Sequence, residues 1–187
     1  SYFGAKVIHS KTVRPAVEKN IPIRILNTSS PDRTGTLIHR DAGNHQQTIK
    51  AITYVKNLSQ INVEGRGMLG VPGVAGRVFT TVAREGVSVL MISQSSSEQS
   101  ICFVVEKKAA RDVVEALNEE FERELLKRNI DRVHAEDGIV IITAVGMGVK
   151  DTPGIFARVF SALCKSEINV RSIAQGSSEH NLSIVVL

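Results

Sequence analysis

Two glutamines, Gln94 and Gln175, each follow a Pro-Gly pair, Pro72-Gly73 and Pro153-Gly154, at one fixed distance. A helix that begins after such a glycine offers free backbone N–H groups and the positive end of its dipole, which together favour a carboxylate. A glutamine side chain brings two donors and an acceptor, enough to serve an ammonium group or a hydroxyl. That pairing is chemistry for holding a small amino acid, with no nucleophile or general base implied. Each feature also has a plain structural reading: Pro-Gly as a turn and helix start, the glutamine as a strand-end residue bonding a loop, the Ser-rich run behind it as a loop. Their recurrence together favours the site.

The recurrence belongs to a longer repeat. Pro72 to Val105 aligns with Pro153 to Val186 at a constant offset of 81 residues, with 13 identities over 34 positions and no gap. Arg77-Val78-Phe79 returns as Arg158-Val159-Phe160, and Gln94-x-Ser96-Ser97-Glu98 as Gln175-x-Ser177-Ser178-Glu179. Self-similarity of this length is a statement about architecture before it is one about any residue.

The elements that would hold these residues can be read from periodicity. Val74, Val78, Phe79 and Val82 form one helical face that Gly86 can end, and Ile155, Val159, Phe160 and Leu163 repeat it. Val87, Val89 and Met91 alternate, as do Ile168 and Val170, predicting a strand after each helix. Ile101 to Val105 and Leu182 to Leu187 predict returning strands. Glu106 to Arg128 predicts a long helix with Ala110, Val113, Val114, Leu117, Phe121 and Leu125 on one stripe, and with Arg111–Glu115 and Glu119–Arg123 pairs on its wet side. Ile130 to Val133 adds a short strand. From Gln60 to Val133 the order is β-α-β-β-α-β, the ferredoxin-like arrangement of an α+β fold. The second copy reaches Leu187 before a second helix and fourth strand. A spare β-like run, Thr48 to Val55, can supply that strand, which makes the first domain (59–135) an insertion in the second (48–56 plus 138–187).

Ahead of the repeats, Gly4 to Asn20 reads as helical, with Pro15 tolerated if a helical segment starts near Ser10 or Thr12. Ile21 to Leu26 and Gly35 to Ile38 read as short strands, and 39–47 as a polar linker. Residues 1–38 cannot close a core alone and look like the end of a larger domain.

Composition sets outer limits. Charged residues are 22% and hydrophobic ones 42%, as in a soluble globular protein. No apolar run approaches the roughly 20 residues of a membrane span, and the first residues lack a signal pattern, which points to a cytoplasmic chain with no membrane partner. The net charge of +4 comes from scattered basic residues, and aromatics are only 4%, so nucleic acid is not expected as a partner. The five histidines are dispersed and neither cysteine has metal-ligand spacing, so no metal site is expected. Cys102 and Cys164 both read as buried thiols.

Several segments resemble aspartokinases. Phe3-Gly-Ala-Lys-Val-Ile-His9, Pro15 to Arg24 and Gly35-Thr-Leu-Ile38 are similar to the end of the amino-acid kinase domain, and the repeats resemble the paired ACT domains that regulate that enzyme. Met91 to Glu98 and Ile173 to Glu179 are closest to the threonine-sensitive branch, which includes the bifunctional aspartokinase-homoserine dehydrogenases. The resemblance implies a parent enzyme that phosphorylates aspartate with ATP and Mg2+, and a regulatory region that binds threonine and dimerises through its ACT domains. It places Lys6 and Val7 near the nucleotide, and leaves the 187 residues without catalytic positions, cofactor or activity of their own. The effector set it suggests is Met68, Gly70, Val71, Pro72, Gly73, Val74, Ala75, Val89, Leu90, Gln94 and Ser95 in the first copy, and Asp151, Gly154, Ile155, Gln175 and Gly176 in the second. Lysine-sensitive relatives carry an aspartate four residues before the position of Gln94. Leu90 and its counterpart Arg171 stand there, and a buried ammonium without a partner costs on the order of several kcal/mol, so threonine is expected over lysine. The rival expectation is a pair of ACT domains serving mainly as an assembly module. Arg77 and Arg158, though duplicated, read as structural.

Overall fold

The computed structural model describes residue 8 and residues 10–39, 48–94, 99–146, 149, 152–175 and 181–187. It falls into two compact units, residues 1–48 and 49–187. Lys6, Val7, Ser95, Asp151, Gly176 and residues 40–47 of the expected linker lie outside the described residues.

The first unit contains helix α1 (Ser10–Glu18) and strands β1 (Ile23–Ile25) and β2 (Thr36–Ile38), paired antiparallel from Ile23↔Ile38 to Ile25↔Thr36. Helix α1 begins at Ser10 and carries Pro15 inside it, and Asn20 beyond its end has φ 55. None of its described residues belongs to the buried core, and Ile21 and Leu37 are half exposed.

The second unit follows in the order β3 (Ala51–Glu64), α2 (Val74–Arg84), β4 (Met91–Gln94), β5 (Ser100–Glu106), α3 (Ala110–Glu120), α4 (Glu122–Leu126), β6 (Arg132–Val145), α5 (Ile155–Lys165), β7 (Val170–Ala174) and β8 (Asn181–Val186). One antiparallel sheet takes the strands as β4-β5-β3-β6-β8-β7. The two separate runs expected before the first repeat are a single strand, β3, which pairs with β6 along its whole length. Strand β6 likewise absorbs both the short strand expected at Ile130 to Val133 and the first strand of the second copy. Both strands bend at one place. The β3 register shifts between Val55 and Leu58, where Asn57 has φ 61, and Gly138 of β6 has φ 81. The ladder with β6 resumes on the far side of the bend, so β3 and β6 serve both halves of the repeat.

Each half presents one face to its own helices. Ile61, Val63, Ile101, Phe103 and Val105 meet Val78 and Val82 of α2, and Val113, Leu117 and Phe121 from α3 and its end. In the second half Leu182, Ile184 and Val186 meet Ile155 of α5 and Val149. The opposite faces share a third cluster of Leu58, Met91, Val104, Ile139, Ile141 and Val185. Burying each such side chain contributes about 1.5–3 kcal/mol. The sheet rolls until its end strands β4 and β7 approach one another, with Met91 and Ala174 in the same cluster.

The predicted long helix is in two pieces. A 3-10 turn at Lys107–Ala109 precedes α3, and Phe121 (φ −106, ψ 19) interrupts the α-geometry before α4. The apolar stripe survives, with Ala110, Val113, Leu117 and Phe121 buried. Arg111–Glu115 forms at 2.8 Å. Glu119–Arg123 does not, because the break at Phe121 falls between them. Helix α2 ends as its glycine predicts: Gly86 (φ 68) donates to the Ala83 carbonyl and Val87 to that of Val82. Helix α5 ends on the same two bonds, from Glu167 to Cys164 and from Ile168 to Leu163, with glutamate at φ 54 in the glycine's place.

Candidate functional site

The Pro-Gly pair and the glutamine of the first copy meet at one end of the sheet. Met68 closes a 3-10 turn, its N–H donating to the Gly65 carbonyl at 3.1 Å, and Val71 N–H donates back to the Met68 carbonyl at 3.1 Å. The chain then enters α2 through Gly73, whose φ of 91 suits a residue without Cβ. No side chain caps this helix, so its first N–H groups are available to a ligand. Strand β4 brings Gln94 to the same place, opposite Ile101 of β5. Met68, Gly70, Val71, Pro72, Gly73, Val74, Ala75, Gln94 and Ile101 line a cavity of about 360 Å³.

Eight of these nine residues were named from the sequence. Ile101 was missed, although the alternation of β5 and the short loop after Gln94 carry the signal that pairs the two. Two named residues lie elsewhere. Val89 packs into the core beneath α2, and Leu90 packs with Leu58, Met91 and Val104 in the third cluster. Leu90 N–H donates to the Val104 carbonyl at 2.8 Å, which fixes its backbone at the start of β4 and its side chain among that cluster. Neither Val89 nor Leu90 lines the cavity beside Gln94.

No lining residue is ionisable. The cavity wall is polar and apolar in equal measure, the one polar side chain being the Gln94 amide, with backbone groups at the start of α2 beside it. Such a site suits a small zwitterion with an uncharged side chain: the carboxylate at the helix start, the ammonium or hydroxyl at Gln94.

The second copy keeps the frame and changes the filling. Gly154 caps α5 at φ 81, and Gln175 is the first residue past β7. At the counterparts of Val74 and Ala75 stand Ile155, 1% exposed, and Phe156, which stacks on Phe160 at 6.4 Å. Val149, the counterpart of Met68, is fully buried.

The duplicated arginines separate. Arg77 reaches out of α2 to Glu120 and Glu124, donates to the Glu120 carbonyl at 2.8 Å and lies 4.4 Å from the centre of the Phe121 ring. The hydrogen bonds to Glu124 and Glu120 raise its pKa above the ordinary arginine value. It ties helices together, as its reading as a structural residue anticipates. Arg158 makes no ion pair among the described residues. Of the cysteines, Cys102 is half buried and burial pushes its thiol above the ordinary value. Cys164 is exposed, contrary to its reading as buried, because it falls off the Ile155–Val159–Leu163 stripe of α5.

No described helix is long and apolar enough to cross a membrane. Among the described residues no group of three or more His, Cys, Asp or Glu is placed to hold a metal.

The ACT-domain family profile matches residues 61–121 and 142–187. The chain is 44% identical over 186 residues to the bifunctional aspartokinase/homoserine dehydrogenase of Haemophilus influenzae, covering all of this chain and 23% of that protein. It is 42% identical over 190 residues to a chloroplastic bifunctional aspartokinase/homoserine dehydrogenase of Zea mays, covering 21% of it. The chain thus spans roughly a fifth of the length of these relatives. Among solved structures, the aspartate kinase of Clostridium acetobutylicum superposes with a TM-score of 0.83 at 30% identity, over 99% of this chain and 42% of that one. Matched in both halves of its repeat, this chain belongs to the ACT-domain family.

Proposed function

We propose that this chain is the amino-acid-sensing regulatory region of an aspartokinase and that threonine is its effector, bound in the cavity between α2 and β4. The observation that carries the reading is the cavity itself: a helix N-terminus and Gln94 face each other across walls that bear no charge. Lysine would bring an ammonium group that no carboxylate in the lining meets, at a cost of about 3–5 kcal/mol for an uncompensated buried charge. Threonine needs no such partner, and a hydrogen-bonding site selects a hydroxyl strongly.

In this reading threonine shifts the parent enzyme toward a less active arrangement, and aspartate or ATP weakens threonine binding by the same factor. The parent phosphorylates aspartate with ATP and Mg2+. Lys6 and Val7, the segment likened to the nucleotide site, lie outside the described residues. The active unit is a homodimer or larger homo-oligomer joined through ACT domains.

Calorimetric titration of the chain with threonine and with lysine tests the ligand. Threonine heat that disappears in Gln94→Ala supports the reading. Lysine binding without threonine binding reverses it. Dimerisation independent of either amino acid, with an unchanged threonine response in the Gln94→Ala parent enzyme, favours the assembly-module reading instead.

A further inference from the structure

The cavity beside Gln94 has an exposed mouth, at Val71, Pro72 and Gly73, and a floor that belongs to the core. Ile101 is 1% exposed and Met68 4%, and both sit in the cluster that packs beneath α2. Each therefore shows the cavity only part of its side chain.

Strand pairing sets Ile101 against Gln94. On the face that α2 and α3 cover, one row of side chains crosses the sheet: Gln94 of β4 lies opposite Ile101 of β5, Ile101 opposite Val63 of β3, and Val63 opposite Val133 of β6. Directly opposed side chains have their Cβ atoms about 4.5–5.5 Å apart. Gln94 is the polar end of this row, and every member inward of it is hydrocarbon. The amide therefore gives way to a branched apolar side chain within a single cross-strand pair. Ile101 is also fixed in place. Val63 behind it is fully buried, and Val78 and Phe103 belong to the same cluster, so the side chain has no space to retreat into in a close-packed core.

A ligand group bonded to Gln94 thus lies beside Ile101. The geometry points to Ile101 as a specificity-determining residue of the effector site: with the ligand's hydroxyl on the Gln94 amide, Ile101 receives the methyl group on the same ligand carbon. This rests on the threonine reading above and adds that the site reads both substituents of that carbon. Serine leaves the Ile101 surface bare, and a missing carbon in an apolar pocket weakens binding by roughly 10–200-fold. Allothreonine exchanges the two groups, which puts its hydroxyl against hydrocarbon and its methyl against the amide. The threonine-configured 2-amino-3-hydroxypentanoic acid keeps the hydroxyl but extends the methyl by one carbon, into a side chain that the core holds in place.

Calorimetric titration of the wild-type protein and of Ile101→Val with these four amino acids tests the inference. Valine keeps the β-branch that suits a strand and removes one methyl from the cavity floor; circular dichroism checks that the fold is retained. Wild type should bind threonine about tenfold or more tightly than each of the other three. In Ile101→Val the preference for threonine over 2-amino-3-hydroxypentanoic acid should fall by roughly fivefold or more, through tighter binding of the longer ligand. A site that is merely loosened loses affinity for both and does not produce that gain. Threonine binding with the same ligand ratios in both proteins would overturn the role of Ile101 and leave the threonine reading standing. Wild type that takes the longer ligand as well as threonine would do the same. Absence of threonine binding by wild type would overturn the threonine reading, and the role of Ile101 with it.

Discussion

Gly86 and Glu167 close equivalent helices with the same pair of backbone bonds and the same left-handed backbone, φ 68 and φ 54, so exchanging their residue types isolates one physical effect. A non-glycine residue in that region is disfavoured by roughly 1–2 kcal/mol, while glycine gives back about 0.4–1 kcal/mol through a freer unfolded chain. Glu167→Gly should therefore stabilise the second unit by about 0.5–1 kcal/mol. Gly86→Ala should cost about as much, because a Cβ built at Gly86 meets nothing within 4 Å and only the backbone conformation is at issue. In urea, with a slope of about 2 kcal/mol/M, the midpoints should move by roughly 0.3–0.5 M in opposite directions. The chain has no tryptophan, and Tyr54 lies in β3, so tyrosine fluorescence with far-UV circular dichroism follows the right unit. A lowered midpoint for Glu167→Gly would refute the reasoning, since it would mean that the glutamate makes a contact worth more than its strain. An unchanged midpoint for Gly86→Ala would refute it from the other side.

Arg77→Met should destabilise by about 1–2 kcal/mol, the range for a part-exposed arginine with charge-assisted bonds, and chemical denaturation measures it. Its pH dependence has a definite sign. Arg77 holds the Glu124 carboxyl below its ordinary value of 4.5, so the stabilisation is complete above that value and is lost as pH falls through the depressed one. The wild-type acid limb should be steeper than that of Arg77→Met below about pH 4.5, and parallel limbs would count against the pairing. Gln94→Ala, at an exposed strand end, should change stability by less than about 0.5 kcal/mol while removing the threonine heat; a large loss of stability would return Gln94 to the strand-end role. Ala75→Phe copies the second repeat into the first and should abolish threonine binding with the helix content retained. Unaltered affinity would move the ligand out of the cavity.

Much of this arrangement was legible before the structure. Side-chain period marked the helix faces, and the repeat offset paired Gly73 with Gly154 and Gln94 with Gln175 without knowledge of either environment. The misreadings share a cause, which is that local pattern does not report what lies on the far side of an element. Lys56-Asn57-Leu58 looks like a break between strands; it is a bulge inside one strand, because β6 pairs with both sides of it. Leu90 sits four residues before Gln94, yet the sheet has apolar partners on both faces and Leu90 packs with Leu58, Met91 and Val104 instead of lining the cavity that Gln94 lines. Phe121 fits the helical stripe and is buried as the stripe demands, but nothing in its neighbours announces that the α-geometry stops there.

The inequality of the two copies follows from where each keeps its aromatic volume. In the first, Phe103 on β5 packs edge-on against Phe79 of α2 at 5.6 Å, and the start of the helix carries only Val74 and Ala75. In the second, the counterpart of Phe103 is Ile184, and an aromatic stands instead at the helix start, where Phe156 stacks on Phe160. A close-packed core fixes total volume more tightly than it fixes which element supplies it. Moving the ring from strand to helix can therefore leave each core filled while changing what remains at the mouth. Ala75 leaves a hollow beside Gln94; at the aligned position the second copy carries Phe156, packed with Phe160 against its own core. The repeated Pro-Gly and glutamine supply the same polar groups twice, and the side chain after each helix start is where the two copies differ.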